Sequence, residues 1–171
     1  MPRYVRAHAP GGTFFFTVNL ADRSSGMLVD RVADLRAAVA EVQRRRPFRI
    51  EAMVVLPDHL HAVWTLPDGD ADFSTRWGAI KAGFSRRCRR AGFIPPAPVG
   101  ALYGGVNPAL RRKGEVGSWQ PRFWEHLIRN EADYWHHMRY CAWNPVKHGY
   151  VSAPDEWPHS SVSRDARRDA E

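Results

Sequence analysis

Two histidines separated by one leucine, His59 and His61, lie in the apolar segment PDHLHAVW. Strand residues point alternately to the two faces of a sheet, so both imidazoles would project from one face. Two imidazoles can bind Zn, Mn, Fe or Ni, and with added oxygen ligands they can bind Mg or Mn. Because two ligands make a poor site, a third must come from elsewhere. The alternative is two half-exposed strand residues, since His-x-His also occurs by chance.

Further candidates lie in the segment EADYWHHMRYCAWNP, whose pattern predicts a helix. His136, Tyr140 and Asn144 follow one another at intervals of four residues and would share one helical face. The amide oxygen of Asn144 is a candidate third ligand, and Tyr140 is a candidate nucleophile. A free phenol, with a pKa of about 10, attacks a phosphate well only when a metal polarises the phosphate and a base takes the proton. Alternatively, Tyr140 packs against the core with its hydroxyl in water.

The composition indicates a globular protein with a polyanionic partner. The chain has 171 residues, 44% of them hydrophobic and 12% aromatic, which allows one domain with a sizeable core. Lys and Arg outnumber Asp and Glu by 25 to 18, giving a net charge of +7. This balance is typical of nucleic-acid-binding proteins, and the predominance of arginine suits phosphate. The alternative is the compositional bias of a GC-rich genome.

The cysteines and the N-terminal segment favour a reducing compartment. Cys88 and Cys141 match no metal or redox spacing, and two cysteines do not make a disulfide framework. No apolar run reaches the ~18 residues of a membrane span, and the first residues lack the order of a signal peptide. We therefore expect a cytoplasmic, nucleoid-associated protein without membrane contact.

The spacing of apolar residues predicts elements in the order β-α-β-β-α-β-α. They are a strand over 13–20, a helix over about 30–46, strands over 48–56 and 59–66, a helix over 72–91, a strand within 119–129 and a helix over 131–143. Asp30 and Asp72 are the predicted N-caps, and Pro145 is expected to end the last helix. The first six elements match the split βαβ, ferredoxin-like pattern, an α+β fold with two helices on one face of an antiparallel sheet. The third helix can then cover the other face, where His59 and His61 would lie.

We expect one domain over 1–171, with no internal repeat. Residues 92–118 are rich in Pro and Gly and predict a flexible insertion of unusual length. The chain after Gly149 is predicted to be irregular, with Trp157 as an anchor and a short tail after about residue 158.

Several segments resemble the HUH single-strand nucleases, named for His-hydrophobic-His, and within them the REP-associated tyrosine transposases. The resemblance covers roughly residues 10–160. Its five segments, in order, are GGTFFFTVNL, RPFRIEAMVVLPDHLHAVWTLP, FSTRWGAIKAGF, WQPRFWEHLIRNEADYWHHMRY and NPVKHGYV. The motif HLH alone is weak evidence, but all five segments in this order are specific.

The resemblance implies roles for particular residues. The two motif histidines fall on His59 and His61, the nucleophile on Tyr140 and the helix-borne metal ligand on Asn144. Such enzymes nick single-stranded hairpin DNA with Mg²⁺ or Mn²⁺, keeping the 5′ end as a phosphotyrosine and freeing a 3′-OH that can rejoin the strand. The implied substrates are REP hairpins, short extragenic palindromes with a tetranucleotide beside the stem. The resemblance favours a monomer, although related transposases form dimers that exchange the tyrosine helix.

Two other functions remain open at this point. A hairpin-binding protein without nuclease activity would use the same fold, but it would not need the full set of His59, His61, Tyr140 and Asn144. A zinc hydrolase of small molecules fits the positive charge poorly and lacks an obvious carboxylate base near the histidines.

DNA is expected to contact basic and aromatic residues. Between Phe73 and Gly114 the chain has nine basic residues and no acidic one, and this basic run is expected beside the site, against phosphates. Residues near the N-terminus, together with Trp119, are candidates to read unpaired bases. The predicted DNA-binding residues are Arg3, Tyr4, Arg6, Arg76, Lys81, Arg86, Arg87, Arg89, Arg90, Trp119 and Lys147. His126 and His148 are either structural or line the DNA groove.

Overall fold

A computed structural model describes residues 6–92 and 118–161 of the chain. The four strands are β1 (Thr13–Asn19), β2 (Arg49–Val55), β3 (His59–Thr65) and β4 (Trp124–Leu127). The helices are α1 (Met27–Asp30), α2 (Val32–Arg45), α3 (Phe73–Arg90) and α4 (Glu131–Lys147), and a short 3-10 helix spans Pro154–Glu156. Among these residues, no helix combines the length and the apolar character that crossing a membrane requires.

The strands form one antiparallel sheet in the order β2-β3-β1-β4. This is the strand order expected of a split βαβ unit, so the predicted ferredoxin-like architecture is confirmed. The pairing of β2 with β3 shifts between Ile50 and Ala52, which makes Glu51 the extra residue of a bulge. The shift moves the following residues of β2 to the opposite faces, and places Val54 directly opposite His61.

One face of the sheet is covered by α2 and α3 and carries the larger core. Leu60, Ala62 and Trp64 of β3 all point into it, as the alternation of the strand predicts. Trp64 and Trp77 of α3 are fully buried, and their rings stack with centroids 4.1 Å apart. These contacts fix α3 on the sheet face that does not carry His59 and His61.

The other face is covered by α4 and carries a smaller core of Phe15, Val54, Val63 and Cys141, against which Tyr140 packs. α4 therefore lies over the strand positions that alternate with the larger core. This confirms that the tyrosine-bearing helix covers the face opposite α2 and α3.

Two predicted helix boundaries were wrong. Asp30 ends α1, and α2 begins after Arg31, which makes no side-chain capping bond. α4 continues through Pro145 to Lys147, although Pro145 was expected to end it. Proline removes one backbone donor, but here it lies in the last turn, where the N–H groups of His148 and Tyr150 bond to carbonyls of that turn.

The predicted cap of α3 is present, since Asp72 accepts a hydrogen bond from the N–H of Thr75 at 2.9 Å. Trp157 packs against the smaller core and its Nε1 donates to the carbonyl of Val55 at 2.9 Å, so it anchors the C-terminal segment. The N–H of Val55 also donates to the carbonyl of His159, and Val54 forms an isolated bridge with Ser160. The C-terminal segment thus pairs with the outer edge of β2.

We predict that Trp77→Ala lowers the free energy of unfolding by about 3–5 kcal/mol, because it leaves a cavity beneath Trp64. Urea unfolding followed by circular dichroism measures the change. The matched control is Trp135→Ala, whose side chain is 58% exposed and whose loss should cost less than about 0.5 kcal/mol. Equal losses in the two variants would contradict this account of the core.

Candidate active site

His59 and His61 lie side by side on the face covered by α4, with ring centroids 5.0 Å apart. They are buried, at 5% and 3% exposure. Nδ1 of His59 lies 2.7 Å from Oδ1 of Asp58. Because an ionised carboxylate only accepts, Nδ1 carries the proton and Nε2 keeps its lone pair. Asp58 in turn is paired with Arg23, so the ring of His59 is held by a chain of two polar contacts.

His61 is fixed by its neighbour on β1, because its Nδ1 lies 2.9 Å from Oγ1 of Thr17. Its Nε2 is buried and has no hydrogen-bond partner among the residues that the structure describes. A buried nitrogen without a hydrogen bond lowers the stability of the folded protein. Its presence among polar side chains therefore indicates that a ligand could bind this atom.

The electrostatic surroundings keep both rings neutral. Burial lowers the pKa of His61 to about 3, and electrostatic interactions with His59, His148 and Lys147, which disfavour a second positive charge there, act in the same direction. Burial also lowers the pKa of His59, against the opposing effect of the Asp58 carboxylate. A neutral imidazole is the form that binds a metal, so both rings are in the ligand state at neutral pH.

Asn144 of α4 is 1% exposed, and both polar atoms of its side chain lack hydrogen-bond partners within the described part of the chain. An unsatisfied buried amide is rare in folded proteins. One turn further on, the ring of His148 lies 5.2 Å from that of His59, which brings the end of α4 to the start of β3. The unpaired atoms of His61 and Asn144, two nitrogen and one oxygen, include the donor types that a divalent cation accepts.

Tyr140 is half-buried, and its ring meets that of His61 edge to face with centroids 5.0 Å apart. Phe15 supports the tyrosine ring from the sheet at 5.6 Å. The Nζ of Lys147, two turns along α4, lies 5.3 Å from the centre of the same ring. A cation in this position stabilises negative charge that develops on the phenol.

His136 does not join this group, although its spacing placed it in a row with Tyr140 and Asn144. It is exposed, and its ring contacts His137 instead. The residue that turns toward the sheet is His137, whose ring lies 4.6 Å from that of Phe15.

A second polar cluster, formed by His126, Asp133 and His137, was not predicted from the sequence. Nε2 of His126 donates to Oδ2 of Asp133 at 2.8 Å, and Nδ1 of His137 donates to the backbone carbonyl of Asp133 at 2.9 Å. One ligand atom from each residue lies within 4.8 Å of the others, a spacing that can hold a metal ion. In contrast to His61 and Asn144, each of these groups already has a hydrogen-bond partner. The cluster therefore ties the first turns of α4 to β4 without requiring a cation.

Arg76 was predicted to contact DNA, but the structure places it in the interior, at 1% exposure. Its guanidinium donates to the carboxylate of Asp70 at 2.7 Å and to the backbone carbonyls of Arg46, Pro47 and Asp72. Its donors are occupied inside the fold, so Arg76 holds the start of α3 to the end of α2 and is not available to a phosphate.

Other predicted DNA contacts are also engaged within the fold. Trp119 is buried against Phe84, and so it cannot stack on a base. Lys81 donates to the carbonyl of Gln120, and burial lowers its pKa to about 8. Arg6 is paired with Glu125, and Arg87 with Glu41.

The remaining basic residues divide between two locations. Arg86, Arg89 and Arg90 are exposed at the end of α3, on the side of the sheet opposite the histidines, so the expectation that the basic run lies beside the site was wrong for α3. Lys147 is exposed beside Tyr140. Arg3 and Tyr4, and most of the predicted insertion, lie outside the described residues.

A cleft of about 390 Å³ opens next to the paired histidines. Arg23, Asp58, His59, His148 and Tyr150 are among the residues that line it. A larger cleft lies at the far end of β3, near Thr65 and Pro67, and neither paired histidine borders it. Of these two clefts, the smaller one borders the candidate site, through His59.

Comparisons with known proteins give relatives over nearly the whole chain, although no protein-family model matches. A REP-associated tyrosine transposase of Escherichia coli (strain K12) is 45% identical over 168 residues, covering 98% of this chain and 87% of the relative. A putative REP-associated tyrosine transposase of Haemophilus influenzae is 36% identical over 171 residues, covering 98% and 89%. The solved structure of a REP-associated tyrosine transposase bound to a REP hairpin superimposes with a TM-score of 0.79 and 45% identity, over 99% of this chain and 87% of that chain.

We predict that Arg76→Leu lowers the free energy of unfolding by about 1–3 kcal/mol, because buried carbonyls lose their donor. The control is Arg86→Leu on the exposed side of the same helix, where the change should stay within about 0.5 kcal/mol. Urea unfolding measures both. A fully stable Arg76→Leu protein with weakened DNA binding would restore Arg76 to the DNA interface.

Proposed function

The chain belongs to the REP-associated tyrosine transposases, which are enzymes, and from this premise we propose that it nicks and rejoins single-stranded DNA at a REP-type hairpin through Tyr140. The observation that supports this most directly is the contact of Tyr140 with His61, on the sheet face where His61 and Asn144 have buried atoms that find no hydrogen-bond partner among the described residues. The proposed substrate takes its support from the relative whose structure contains a REP hairpin.

We propose His59, His61 and Asn144 as the ligands of a divalent cation, Mg²⁺ or Mn²⁺. The fit is supported by two neutral imidazoles and by one buried amide oxygen that has no partner in the part of the chain that the structure describes. Asp58 orients His59 through Nδ1 and leaves Nε2 for the cation. When bound, such a cation would polarise the scissile phosphate.

In the proposed reaction, the phenolic oxygen of Tyr140 forms a bond to the phosphorus while the bond from phosphorus to the 3′ oxygen breaks. The phenol loses its proton, the departing 3′ oxygen gains one, and the 5′ end remains on the protein as a phosphotyrosine. Lys147 contributes positive charge beside the phenol as its oxygen becomes anionic. The reverse attack by a 3′-OH would rejoin the strand and release Tyr140.

The DNA is proposed to approach from the cleft beside His59 and His148. Arg23 lines this cleft and Lys147 lies beside Tyr140, and both supply positive charge for the DNA backbone. The exposed arginines of α3, Arg86, Arg89 and Arg90, can contact only DNA that extends around the edge of the sheet, such as the hairpin stem. Arg3 and Tyr4 remain candidates to read unpaired bases, and a monomer remains the expected state.

We predict that Tyr140→Phe lowers covalent capture of a labelled hairpin by more than about 10³-fold, because it removes the nucleophile, while hairpin binding stays within about twofold. A denaturing gel with Mg²⁺ or Mn²⁺ measures capture, and a gel shift measures binding. Tyr134→Phe, on the same helix, is the control and should retain capture. Capture by the Tyr140→Phe protein would identify another nucleophile, and binding without cleavage by the unaltered chain would indicate a hairpin-binding protein.

We predict that His61→Ala and Asn144→Ala each weaken Mn²⁺ binding by about tenfold or more, since each removes a ligand. Asp58→Ala should weaken it by about 10–100-fold, because His59 loses its orienting partner. Isothermal titration with Mn²⁺ alone measures the effect without DNA. His126→Ala is the control and should bind normally. Loss of binding in His126→Ala but not in His61→Ala would move the cation to the cluster on β4 and α4.

A further inference from the structure

Trp124, the first residue of β4, is 51% exposed on the sheet face that carries the candidate site. It pairs with Thr17 of β1, which pairs with His61 of β3, which pairs with Val54 of β2. Directly opposed residues in an antiparallel sheet point to the same face. The indole and the His61 imidazole therefore belong to one row of side chains across the sheet.

The row brings the indole close to the site, and the ring of Phe15 lies against both the indole and His61. Neighbouring strands lie about 4.8 Å apart, so Trp124 is about 10 Å from His61 along the sheet. Thr17 separates them, and its small side chain is already bonded to Nδ1 of His61. α4 packs mainly on β2 and β3, and half of the Trp124 side chain is left open on the β4 side.

The indole is held in place although it is exposed. It meets Phe15 edge to face at 5.8 Å and lies parallel to the ring of His126 at 5.9 Å. His126 is itself fixed by the carboxylate of Asp133. An ordered, half-exposed aromatic ring contributes less to folding than a buried one, but it can accept a flat partner with little loss of side-chain entropy.

The charge beside the indole suits a nucleic acid. Arg122 is exposed two residues before Trp124 and has no ion pair within the described ranges. A ring for a base and a guanidinium for the adjoining phosphate are the combination that single-stranded DNA requires. The two other strongly exposed tryptophans, Trp135 and Trp143, lie on α4 and outside this row.

We propose that Trp124 forms a base-stacking subsite for an unpaired nucleotide next to the scissile phosphate, with Arg122 on its phosphate. This inference depends on the proposed function, because it takes single-stranded DNA as the ligand. Stacking tolerates every base, so the subsite would position the strand over Thr17 and His61 without selecting its sequence.

The test compares two DNA ligands in a Tyr140→Phe background, where cleavage does not interfere with binding. One is a hairpin with a single-stranded extension that carries 2-aminopurine beside the stem, and the other is the same hairpin without the extension. Trp124→Ala should weaken binding of the extended hairpin by about tenfold or more and leave the blunt hairpin within about twofold. Trp124→Phe should keep most of the affinity, and Trp135→Ala should bind both ligands normally.

Fluorescence of 2-aminopurine gives a second measurement on the protein with its tryptophan intact, since stacking on the indole should quench it and Trp124→Ala should restore it. The proposal is overturned if Trp124→Ala binds the extended hairpin normally, if it weakens both ligands equally, or if Trp135→Ala has the same effect. It is also overturned if sedimentation shows that Trp124→Ala disrupts a dimer, because the indole would then contact a second copy. Failure of the proposed chemistry would appear separately, as covalent capture that survives in Tyr140→Phe.

Discussion

The pairing of β3 with β1 determines where the side chains of the candidate site lie. Because side chains alternate along β3, its residues with even numbers enter the core under α2 and α3, and His59 and His61 face α4. A shift of one residue in this pairing would exchange the two sets, placing Trp64 under α4 and both histidines under α2 and α3. The stacked tryptophans Trp64 and Trp77 therefore stabilise the fold and, by the same contacts, fix the direction of both imidazoles.

The site keeps polar atoms that the fold alone does not need. A buried side-chain donor or acceptor without a partner costs about 1–3 kcal/mol, and Asn144 and His61 together have three such atoms within the described residues. The cluster of His126, Asp133 and His137 is the opposite case, because its groups satisfy one another and join α4 to β4. One cluster joins the helix to the sheet, and the other contains buried polar atoms without partners among the described residues.

The order of the four strands and the three long helices, the sheet architecture and the face of each β3 side chain could be predicted from periodicity, and they placed the helix that carries Tyr140 on the face of His61. The sequence does not reveal which basic side chains are used within the fold, because a basic run such as that of α3 does not show which carboxylates and backbone carbonyls the fold brings to each side chain. Arg76 finds four acceptors on Asp70, Asp72 and the end of α2. The end of α4 was predicted wrongly for a similar reason. The free-energy cost of Pro145 depends on whether the backbone carbonyls of the last turn find other donors, and the sequence does not show this.

The C-terminal segment has a consequence for how the sheet can grow. Backbone bonds from Val55 to His159, and the bridge of Val54 with Ser160, occupy the outer side of β2. Within the described part of the chain, β4 has no strand on its outer side. An incoming extended peptide would therefore add to the sheet at β4 and not at β2. His159 and Ser160 thus protect the β2 edge of the sheet from edge-to-edge aggregation.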